Sequence, residues 1–363
     1  MKVTLFADMK SESWDSMNRY AQSLSREFNA LNLSVSIFRT EPPLRSSRLK
    51  IFWRQKVYPM LARFRQGEVN HVLDHSYAHL LGFLSASRTV VTCHDLIPLE
   101  FERDERLLAF FKRTVSNLSK AAMVIADSEA TRKDLISKLG LSPEKVKVIY
   151  LGVDPNFKIE LSVAKDRLRR ELNIPKAKII FSHSSALNYK NNEGVLKAFR
   201  LVLNEVSDVY LLRVGLYNKH QRQLIKDLGI GDRILELARP TDEKLSTLYN
   251  LSDVFVSPSF KEGFGLTVLQ ALACGVPVVV SSGTSLEEVA GEFGVYCDPH
   301  DEDDIASKII SLLERDYHKD RAYQETLTTR ARFFTWQKTA RETLKVYQEV
   351  MPNRPEQSHN RDR

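Results

Sequence analysis

Short runs of aliphatic and β-branched residues alternate with longer amphipathic stretches along most of the chain. Such runs predict strands of a parallel sheet that helices cover on both faces, because no face of such a strand meets water. Six runs lie in the first half: Lys2–Ala7, Ser34–Phe38, His71–Leu73, Thr89–Thr92, Ala122–Ala126 and Val146–Tyr150. Six more lie in the second half: Lys178–Ser182, Val209–Val214, Arg233–Leu237, Val254–Ser257, Val276–Val280 and Gly294–Cys297. The pattern therefore predicts an α/β fold with two doubly wound domains.

The two series of runs are separated by a linker and followed by a distinct C-terminal segment. A charged amphipathic stretch, roughly Ser162–Leu172, connects the series, and the helical spacing of Trp336, Leu344 and Tyr347 predicts a terminal helix. The last residues are too polar to pack and are predicted to be disordered. We therefore divide the chain into an N-terminal domain, a C-terminal domain, a terminal helix and a tail: residues 1–160, 173–332, 333–351 and 352–363.

The composition is typical of a globular protein. With 363 residues, 43% of them hydrophobic and 27% charged, the chain is long enough for two domains. No apolar stretch approaches the length that spans a bilayer, and the apolar run at the N-terminus is too short for a signal peptide. Cys93, Cys274 and Cys297 lack metal-ligand spacing and are expected to be reduced packing residues. These features predict a cytoplasmic location.

Positive charge is concentrated in the first half of the chain. Residues 1–170 carry 28 Lys and Arg against 19 Asp and Glu, whereas residues 171–363 carry 25 against 27. This imbalance favours a partner or acceptor that is anionic or lies on an anionic surface, although ordinary solubility explains it equally well. No recognised nucleic-acid-binding motif accompanies the charge, so nucleic acid is not expected as a partner.

One basic segment, residues 45–65, contains seven Lys or Arg residues and no acidic residue. Apolar side chains, among them Phe52, Trp53 and Phe64, lie between these charges. One interpretation is an interfacial helix that contacts anionic lipid, as a peripheral protein at the inner face of the membrane would do. The other, which we favour, is an ordinary N-domain helix that packs one face in the core and is broken at Pro59.

The most informative segment runs from Ser257 to Val280. A strand is predicted to end at Ser257, a loop with Gly263 and Gly265 follows, and a helix begins near Leu266. Glycines ahead of a helix N-terminus let backbone amides approach an anion, and the helix dipole favours negative charge there. A bare structural turn is the alternative for a glycine pair. The geometry suits a diphosphate, bound beyond the carboxyl ends of the strands.

Residues 257–270 of this segment read Ser-Pro-Ser-Phe-Lys-Glu-Gly-Phe-Gly-Leu-Thr-Val-Leu-Gln. The whole segment resembles the donor-binding signature of the retaining glycosyltransferases of family 4, also called glycosyltransferase group 1. Further segments extend the resemblance over nearly the whole chain. They are His-Asp-Leu-Ile-Pro-Leu at 94–99, Ser-Glu-Ala-Thr-Arg-Lys-Asp-Leu at 128–135, Val-Ile-Tyr-Leu-Gly-Val-Asp at 148–154, Asn-Tyr-Lys-Asn at 188–191 and Phe-Thr-Trp at 334–336. The resemblance implies the GT-B fold, in which two Rossmann-like domains face a central cleft. It also implies that the terminal helix, residues 333–351, crosses back to the N-terminal domain.

The resemblance also implies roles for individual residues. Lys190 would lie beside the phosphates of the donor, where a cation offsets the charge of the leaving diphosphate. Glu262 would lie near the transferred sugar, whose hydroxyls it would accept hydrogen bonds from. His94 and Asp95 would face the cleft from the first domain, so that these two residues and Glu262 are the implied catalytic groups.

Other implied positions surround the donor and the acceptor. Backbone amides in the glycine-containing turn would hold the phosphates, and two residues after the strand Arg233–Leu237 would lie near the nucleobase. These donor-side positions are Gly263, Phe264, Gly265 and Leu266 in the turn, and Arg239 and Pro240 near the base. Ser16 and Met17 stand where the family usually has a glycine-rich loop on the acceptor side, which indicates an unusual acceptor.

Two further positions depart from the family pattern. The second glutamate of the donor loop, which accepts hydrogen bonds from ribose hydroxyls in the family, is replaced by the neutral Gln270. The arginine that often precedes the lysine by five or six residues is replaced by Ser185 or Ser184. The phosphate site therefore has fewer evident cations, and Arg213 is a candidate to compensate.

The resemblance implies transfer, with retention at the anomeric carbon, from a UDP- or GDP-linked sugar to a hydroxyl of a sugar or lipid-linked acceptor, without cofactor or metal. The acidic run Asp301–Asp304 is interpreted as a helix cap. Polysaccharide, lipopolysaccharide or glycolipid assembly is the expected setting. Two alternatives stay open: a non-catalytic nucleotide-sugar-binding subunit and, with less support, a sugar-nucleotide epimerase of the same fold. A Rossmann dehydrogenase is disfavoured because no Gly-x-Gly-x-x-Gly motif follows the first strand.

Overall fold

The computed structural model describes residues 1–11, 15–43, 46–160, 162–315, 317 and 320–351. The predicted disordered tail and Arg45 of the basic segment lie outside these residues. The strands of a first sheet are β1 (Lys2–Phe6), β2 (Ser34–Phe38), β3 (Val69–Val72), β4 (Thr89–Cys93), β5 (Met123–Ala126) and β6 (Val146–Val148). Those of a second sheet are β7 (Lys178–His183), β8 (Val209–Val214), β9 (Ile234–Leu237), β10 (Val254–Ser257), β11 (Val278–Ser281) and β12 (Gly294–Cys297).

Helices connect the strands and cover both faces of each sheet. The α-helices are α1 (Asp15–Ala30), α2 (Ser47–Phe52), α3 (Tyr58–Arg63), α4 (Pro98–Phe101), α5 (Glu105–Val115), α6 (Glu129–Leu139), α7 (Ser162–Glu171), α8 (Asn192–Glu205), α9 (Lys219–Asp227), α10 (Asp242–Leu251), α11 (Leu266–Ala273), α12 (Leu286–Ala290), α13 (Glu302–Leu313), α14 (Arg321–Ala331) and α15 (Trp336–Val350). Shorter 3₁₀ segments are His75–Gly82, Ala86–Arg88, Ser116–Lys120, Pro143–Lys145, Asn188–Lys190, Gly231–Arg233 and Gly291–Phe293, and Trp53–Val57 is π-helical.

Both sheets are parallel throughout and have six strands each. The first has the order β2-β1-β3-β4-β5-β6, and the second has the order β12-β11-β10-β7-β8-β9. Each predicted strand is present with its ends shifted by at most a few residues, so the prediction of two doubly wound α/β domains is confirmed. The expectation of buried strands is wrong for β2, whose residues are mostly exposed because β2 lies at an edge and has one neighbour.

The hydrophobic core has three clusters that follow this division. One lies in the N-terminal domain and one in the C-terminal domain, while the largest contains residues of both, such as Leu5, Phe264 and Trp336. The terminal helix α15 packs on α1, and its Tyr347 hydroxyl lies 2.6 Å from Nδ1 of the buried His71 in β3. The two sheets and the terminal helix thus share one continuous apolar interior.

The basic segment forms a helical stretch that Pro59 does not break, so the predicted break is wrong. A π-helical turn, Trp53–Val57, joins α2 to α3, and Pro59 lies in the first turn of α3. The N–H of Tyr58 donates to the Trp53 carbonyl, five residues back, and this wider turn accommodates the proline, which has no N–H. The hydroxyl of the buried Tyr58 donates to the Ala7 carbonyl over 2.6 Å, which anchors one face of this stretch to the sheet.

Other features of the chain also have a defined place. All three cysteines are buried and free, as expected for packing residues. Asp301 accepts hydrogen bonds from the N–H groups of Asp303 and Asp304, which confirms that the acidic run caps α13. In the part of the chain that the structure describes, no helix combines the length and the apolar content that crossing a membrane requires.

Candidate active site

The site lies where the strand order of the second sheet reverses. Strands β7 and β10 are neighbours, but the helices that follow them, α8 and α11, contribute to different hydrophobic clusters and so cover opposite faces. The loops after β7 and β10 therefore diverge and leave a crevice beyond the carboxyl ends of the strands. Ligands of doubly wound sheets bind in a crevice of this kind.

Lys190 and Glu262 meet across this crevice. The Lys190 ammonium, carried by the loop after β7, donates to both carboxylate oxygens of Glu262 over 2.8 and 2.7 Å. Ser259 donates a further hydrogen bond to Glu262 over 2.8 Å, and the Tyr189 ring centroid lies 5.1 Å from the ammonium. The side chain of Glu262 is only 9% exposed, so the ammonium and the hydroxyl satisfy a nearly buried carboxylate.

The glycine-containing turn after β10 packs against the first domain. The carbonyl of Gly263 accepts hydrogen bonds from the hydroxyls of Ser128 and Thr131, over 2.6 and 3.2 Å. A Cβ at Gly263 would lie 2.2 Å from the carbonyl oxygen of His94, so only glycine permits this approach. Gly265 has a positive φ of 109° and precedes α11, which begins at Leu266. The turn therefore lies in the groove between the domains.

Phe264 and Asp95 define the surroundings of this turn. The Phe264 ring is buried, with its centroid 6.0 Å from that of Tyr150 and 5.9 Å from that of Phe334. The Asp95 carboxylate accepts a hydrogen bond from the N–H of Ile97, and its Cβ would lie 3.1 Å from a Cβ placed on Gly263. The Phe264 side chain therefore packs in the interior, whereas Asp95 borders the turn from the first domain.

His94 is held inside the first domain by both ring nitrogens. Nδ1 lies 2.5 Å from Asp127 Oδ2, and Nε2 lies 2.8 Å from the carbonyl oxygen of Leu73. Burial lowers the pKa of His94, but the charges of Asp127 and Asp74 and the hydrogen bonds to Asp127 and Leu73 outweigh it and raise the pKa to about 9. The ring is therefore protonated at neutral pH, and both nitrogens donate. Its backbone carbonyl, by contrast, contacts the glycine turn.

Gln270 belongs to a chain of neutral polar groups. Its Oε1 accepts a hydrogen bond from the Tyr249 hydroxyl over 3.1 Å, and that hydroxyl lies 3.2 Å from Nδ1 of His183. Burial, followed by the nearby charges of Arg213, Arg19 and Lys190, lowers the pKa of His183 to about 3. His183 is therefore neutral, and the group at position 270 carries no charge into the site.

The remaining predicted residues lie at the margins. Arg239 is exposed, and Pro240 directly precedes the cap of α10. Ser16 and Met17 lie in the first turn of α1, so the expectation that they belong to a loop is wrong. The apolar and polar residues that follow have helical spacing, which explains why α1 begins as early as Asp15. None of the hydrogen bonds, ion pairs or ring contacts among the described residues joins these four residues to the Lys190–Glu262 pair.

Sequence reasoning missed several groups that the fold brings to the cleft. Asp127 directly follows β5, as His94 directly follows β4, so a polar residue at a strand end was the available signal. Arg19 of α1 forms an ion pair with Asp242 of α10 over 3.0 Å and so connects the two domains. No local pattern indicates that pair, because its partners are 223 residues apart.

Two doubly wound domains that enclose a site between the carboxyl edges of their sheets define a GT-B protein. Residues 17–157 match the family model described as Glycosyltransferase Family 4, and residues 164–329 match the model described as Glycosyl transferases group 1. The chain belongs to the family 4 glycosyltransferases of group 1. The resemblance in sequence and the GT-B fold are thereby confirmed.

Curated relatives include two mannosyltransferases of Escherichia coli. O-antigen chain mannosyltransferase B is 28% identical over 267 residues, which are 72% of this chain and 70% of that protein. The serotype-specific mannosyltransferase WbdA is 28% identical over 283 residues, which are 74% of this chain but only 34% of the relative. The chain therefore spans most of the first relative and about one third of the second.

Solved structures share the fold over nearly the whole chain. HepE from Anabaena, in a complex with UDP and glucose, has a TM-score of 0.78 at 20% identity and covers 96% of this chain and 100% of its own. Sucrose-phosphate synthase from Thermosynechococcus elongatus has a TM-score of 0.77 at 18% identity, covering 96% and 99%. At these identities the likeness establishes the architecture.

Proposed function

We propose that this chain transfers a sugar from a UDP- or GDP-linked donor to a hydroxyl of a sugar or lipid-linked acceptor, with retention at the anomeric carbon. The setting is polysaccharide, lipopolysaccharide or glycolipid assembly. One observation carries the proposal: the loops on either side of the β7–β10 crevice present a paired ammonium and carboxylate, Lys190 and Glu262, beside the loop of the first domain that carries His94. Mannose is the first sugar to test, because two matched relatives are named mannosyltransferases.

The pair can serve both ends of the donor. An ammonium has three N–H donors, so Lys190 retains one for a phosphate oxygen while two engage Glu262. The negative charge that accumulates on the leaving diphosphate would be stabilised by this cation and by the amides of Gly263 to Leu266. The Glu262 carboxylate would accept hydrogen bonds from the sugar hydroxyls and stabilise positive charge at the anomeric carbon.

Retention requires the acceptor oxygen to attack the face from which the diphosphate departs. The bond from the anomeric carbon to the phosphate oxygen breaks, the bond to the acceptor oxygen forms, and the acceptor proton passes to the departing phosphate oxygen. No side chain has to act as the base. This route accords with His94, whose ring nitrogens are both engaged as donors. His94 would then contribute its positive charge and the contact of its backbone carbonyl with the glycine turn. Asp95 would lie beside the acceptor.

The remaining roles follow from position in the family pattern. Gln270 would meet the ribose, and its neutral amide would make weaker bonds than a carboxylate, roughly 1 kcal/mol against about 1.5–3 kcal/mol. Arg239 and Pro240 would lie near the base, while Ser16 and Met17 at the start of α1 would shape the acceptor side. No cofactor or metal enters the proposed reaction.

The direct test is donor binding and hydrolysis with purified protein. We expect at least one sugar nucleotide among UDP-glucose, UDP-galactose and GDP-mannose to bind and to be hydrolysed slowly. Glu262→Gln and Lys190→Met should each lower turnover about 100-fold or more, because each removes a charge that acts in the transition state. Lys197→Gln, which alters an exposed lysine paired with Glu302, should leave turnover unchanged.

Thermal unfolding of each variant separates loss of chemistry from loss of fold. Unaltered turnover in Glu262→Gln or Lys190→Met would refute the site. Tight donor binding without hydrolysis or transfer, in every acceptor preparation tried, would favour the non-catalytic binding subunit instead. Interconversion of two sugar nucleotides would identify an epimerase.

Peripheral contact with a membrane is a separate part of the proposal. Along the helical stretch 47–63 and its continuation, Ile51, Phe52, Met60, Leu61 and Phe64 are exposed, with Phe64 81% exposed. Exposed basic residues accompany them: Arg48, Lys56, Arg63 and Arg65. An apolar face edged by cations and lacking acidic residues suits anionic lipid. A lipid-linked acceptor would then be met at the bilayer surface.

A further inference from the structure

Arg213 of β8 is fully buried beneath the loop that follows β7. Its Nη1 donates to the hydroxyls of Ser182 and Ser184 over 3.1 and 2.8 Å. Its Nη2 donates to the Ser184 carbonyl over 2.7 Å and, more weakly, to the Ser185 carbonyl over 3.4 Å. The guanidinium therefore holds Ser184 and Ser185, at the start of the loop that leads to Lys190, through these hydrogen bonds.

The charge of Arg213 has no carboxylate partner within ion-pair distance among the residues that the structure describes. Nε is buried and unpartnered there, and the Tyr217 ring lies 4.9 Å from the guanidinium carbon. The nearby Glu236 carboxylate is already held by Arg222 and by the N–H of Tyr217. A buried cation with neutral partners is costly, and an anion bound close by would offset that cost.

Two other cations lie near the same point. Arg19 and Lys190 act with Arg213 on the pKa of His183 at the end of β7, but each of these two has a carboxylate partner, Asp242 and Glu262. Positive charge therefore exceeds negative charge at the mouth of the β7–β10 crevice. Among the described residues, the unpaired positive charge is that of the Arg213 guanidinium, which lies under the loop after β7.

The contacts of Arg213 also set the direction of the loop amides. In a trans peptide the C=O and the following N–H point in opposite directions. The Ser184 carbonyl points at Arg213, and the Ser185 carbonyl accepts from Nδ2 of the buried Asn192 over 2.8 Å as well as, more weakly, from Arg213. Because both carbonyls point inward, the N–H groups of Ser185 and Ala186 point away from the interior. In the described part of the chain, neither N–H donates a hydrogen bond. Gly215 makes this arrangement possible, since a Cβ there would lie 2.2 Å from the Ser184 carbonyl oxygen.

We propose that Arg213 is a positioning residue for the donor diphosphate: it turns two carbonyls inward, presents the N–H groups of Ser185 and Ala186 to phosphate oxygens, and offsets the charge of the bound anion from beneath. This inference rests on the proposed function, because it takes a nucleoside diphosphate as the ligand. It gives the phosphate site a source of positive charge that comes from the neighbouring strand and from backbone amides.

The test compares ligands that differ by one phosphate. Arg213→Lys keeps the charge but loses the fork that holds several acceptors at once, and Arg213→Met loses both. We expect Arg213→Lys to weaken binding of UDP or GDP about 10-fold, and Arg213→Met about 100-fold. Binding of the corresponding monophosphate should fall less than about threefold. Arg200→Gln, which alters an exposed arginine of α8 that donates to Asn204, is the charge control and should change neither.

A milder variant guards against loss of the fold. Ser184→Ala leaves Arg213 in place and removes one of its acceptors, so it should weaken diphosphate binding by about threefold with an unchanged thermal transition. Equal losses for mono- and diphosphate in all three variants would overturn the inference and leave a purely structural role. Inorganic pyrophosphate serves as the second probe. Wild-type protein that binds pyrophosphate but no nucleotide would refute the proposed donor and, with it, the donor role of Arg213. Nucleoside diphosphates that bind wild type and Arg213→Met equally would overturn this inference alone.

Discussion

At the residue scale, charged groups in the cleft are held in pairs or by neutral polar groups. Lys190 and Glu262 neutralise one another in the C-terminal domain, and His94 and Asp127 do so in the N-terminal domain. Asp127 Oδ1 has no hydrogen-bond partner among the described residues, so the Asp127 carboxylate is stabilised mainly by the imidazolium. The protonation of His94 therefore depends chiefly on Asp127, with smaller contributions from Asp74 and the Leu73 carbonyl.

Replacing Asp127 with Asn should change how the free energy of unfolding varies with pH. The folded pKa of His94, about 9, lies above its ordinary value of 6.5, so the stabilisation is complete below about pH 6.5 and is lost as the pH rises through 9. We expect wild type to exceed Asp127→Asn in unfolding free energy by roughly 3 kcal/mol near pH 6 and by much less near pH 9.5. Urea unfolding at both pH values measures this difference.

The exposed Asp208→Asn is the matched control for this experiment, and we expect no pH-dependent change from it. A wild-type advantage over Asp127→Asn that stays constant across the range would show that His94 is not the titrating group. Chemical shifts of the imidazole protons would give the same answer independently.

At the element scale, the loops after parallel strands decide how closely the two domains approach. The turn after β10 contacts the loop after β4 and the start of α6, through Gly263 and Ser128. A second contact between the domains joins the Phe101 ring of α4 to the Tyr189 ring, whose centroids lie 5.8 Å apart. Each contact joins a strand-end loop of one domain to a strand-end loop of the other. The site is therefore assembled only when both domains are in place.

Gly263→Ala tests this dependence. The added methyl would lie 2.2 Å from the backbone carbonyl of His94, which cannot move aside as a flexible side chain would. We expect the domain contact to open and stability to fall by about 1–3 kcal/mol, with a loss of donor turnover of about 10-fold or more. Donor turnover and thermal unfolding measure the two effects. Gly82→Ala, where a Cβ meets nothing within 4 Å, should leave both unchanged. Normal turnover in Gly263→Ala would mean that close domain contact is not required.

At the scale of the whole molecule, the two domains are joined by several polar contacts as well as by the shared apolar cluster. Lys261 of the second domain bridges Glu100 and Asp134 of the first. The Glu288 carboxylate accepts the N–H groups of Glu129 and Ala130, at the N-terminus of α6, where the helix dipole favours a negative charge. These contacts join the two domains in the arrangement that places His94 against Gly263.

The exposed face of the basic helical stretch leads to a prediction about the molecule as a whole. We expect binding to vesicles that contain phosphatidylglycerol and little binding to vesicles of phosphatidylcholine alone, with an affinity that falls as salt is added. The double variant Met60→Ser and Phe64→Ser should weaken vesicle binding about 10-fold or more. Sedimentation with vesicles measures this. Phe333→Ser, which alters an exposed aromatic residue elsewhere, is the control. Equal binding by the double variant would refute the membrane contact.

Much of the architecture could be predicted because strands and helices are specified by residues close together in the chain. The apolar runs located every strand, including β10 and β11 around the glycine turn, and family motifs identified Lys190 and Glu262 as members of one site. The functional roles of those residues stay predictions. The break expected at Pro59 failed because a π-helical turn absorbs the proline, which no periodicity reveals.

What the sequence alone determined is therefore the order of the elements and the position of the loops that carry the candidate site residues. The tertiary structure decided which groups pair: His94 with Asp127, Arg213 with the Ser184 loop, and Arg19 with Asp242. It also decided that Ile51, Met60 and Phe64 face outward. The physical reason is that periodicity records which side of an element is apolar, whereas pairing and exposure depend on which distant elements pack against it.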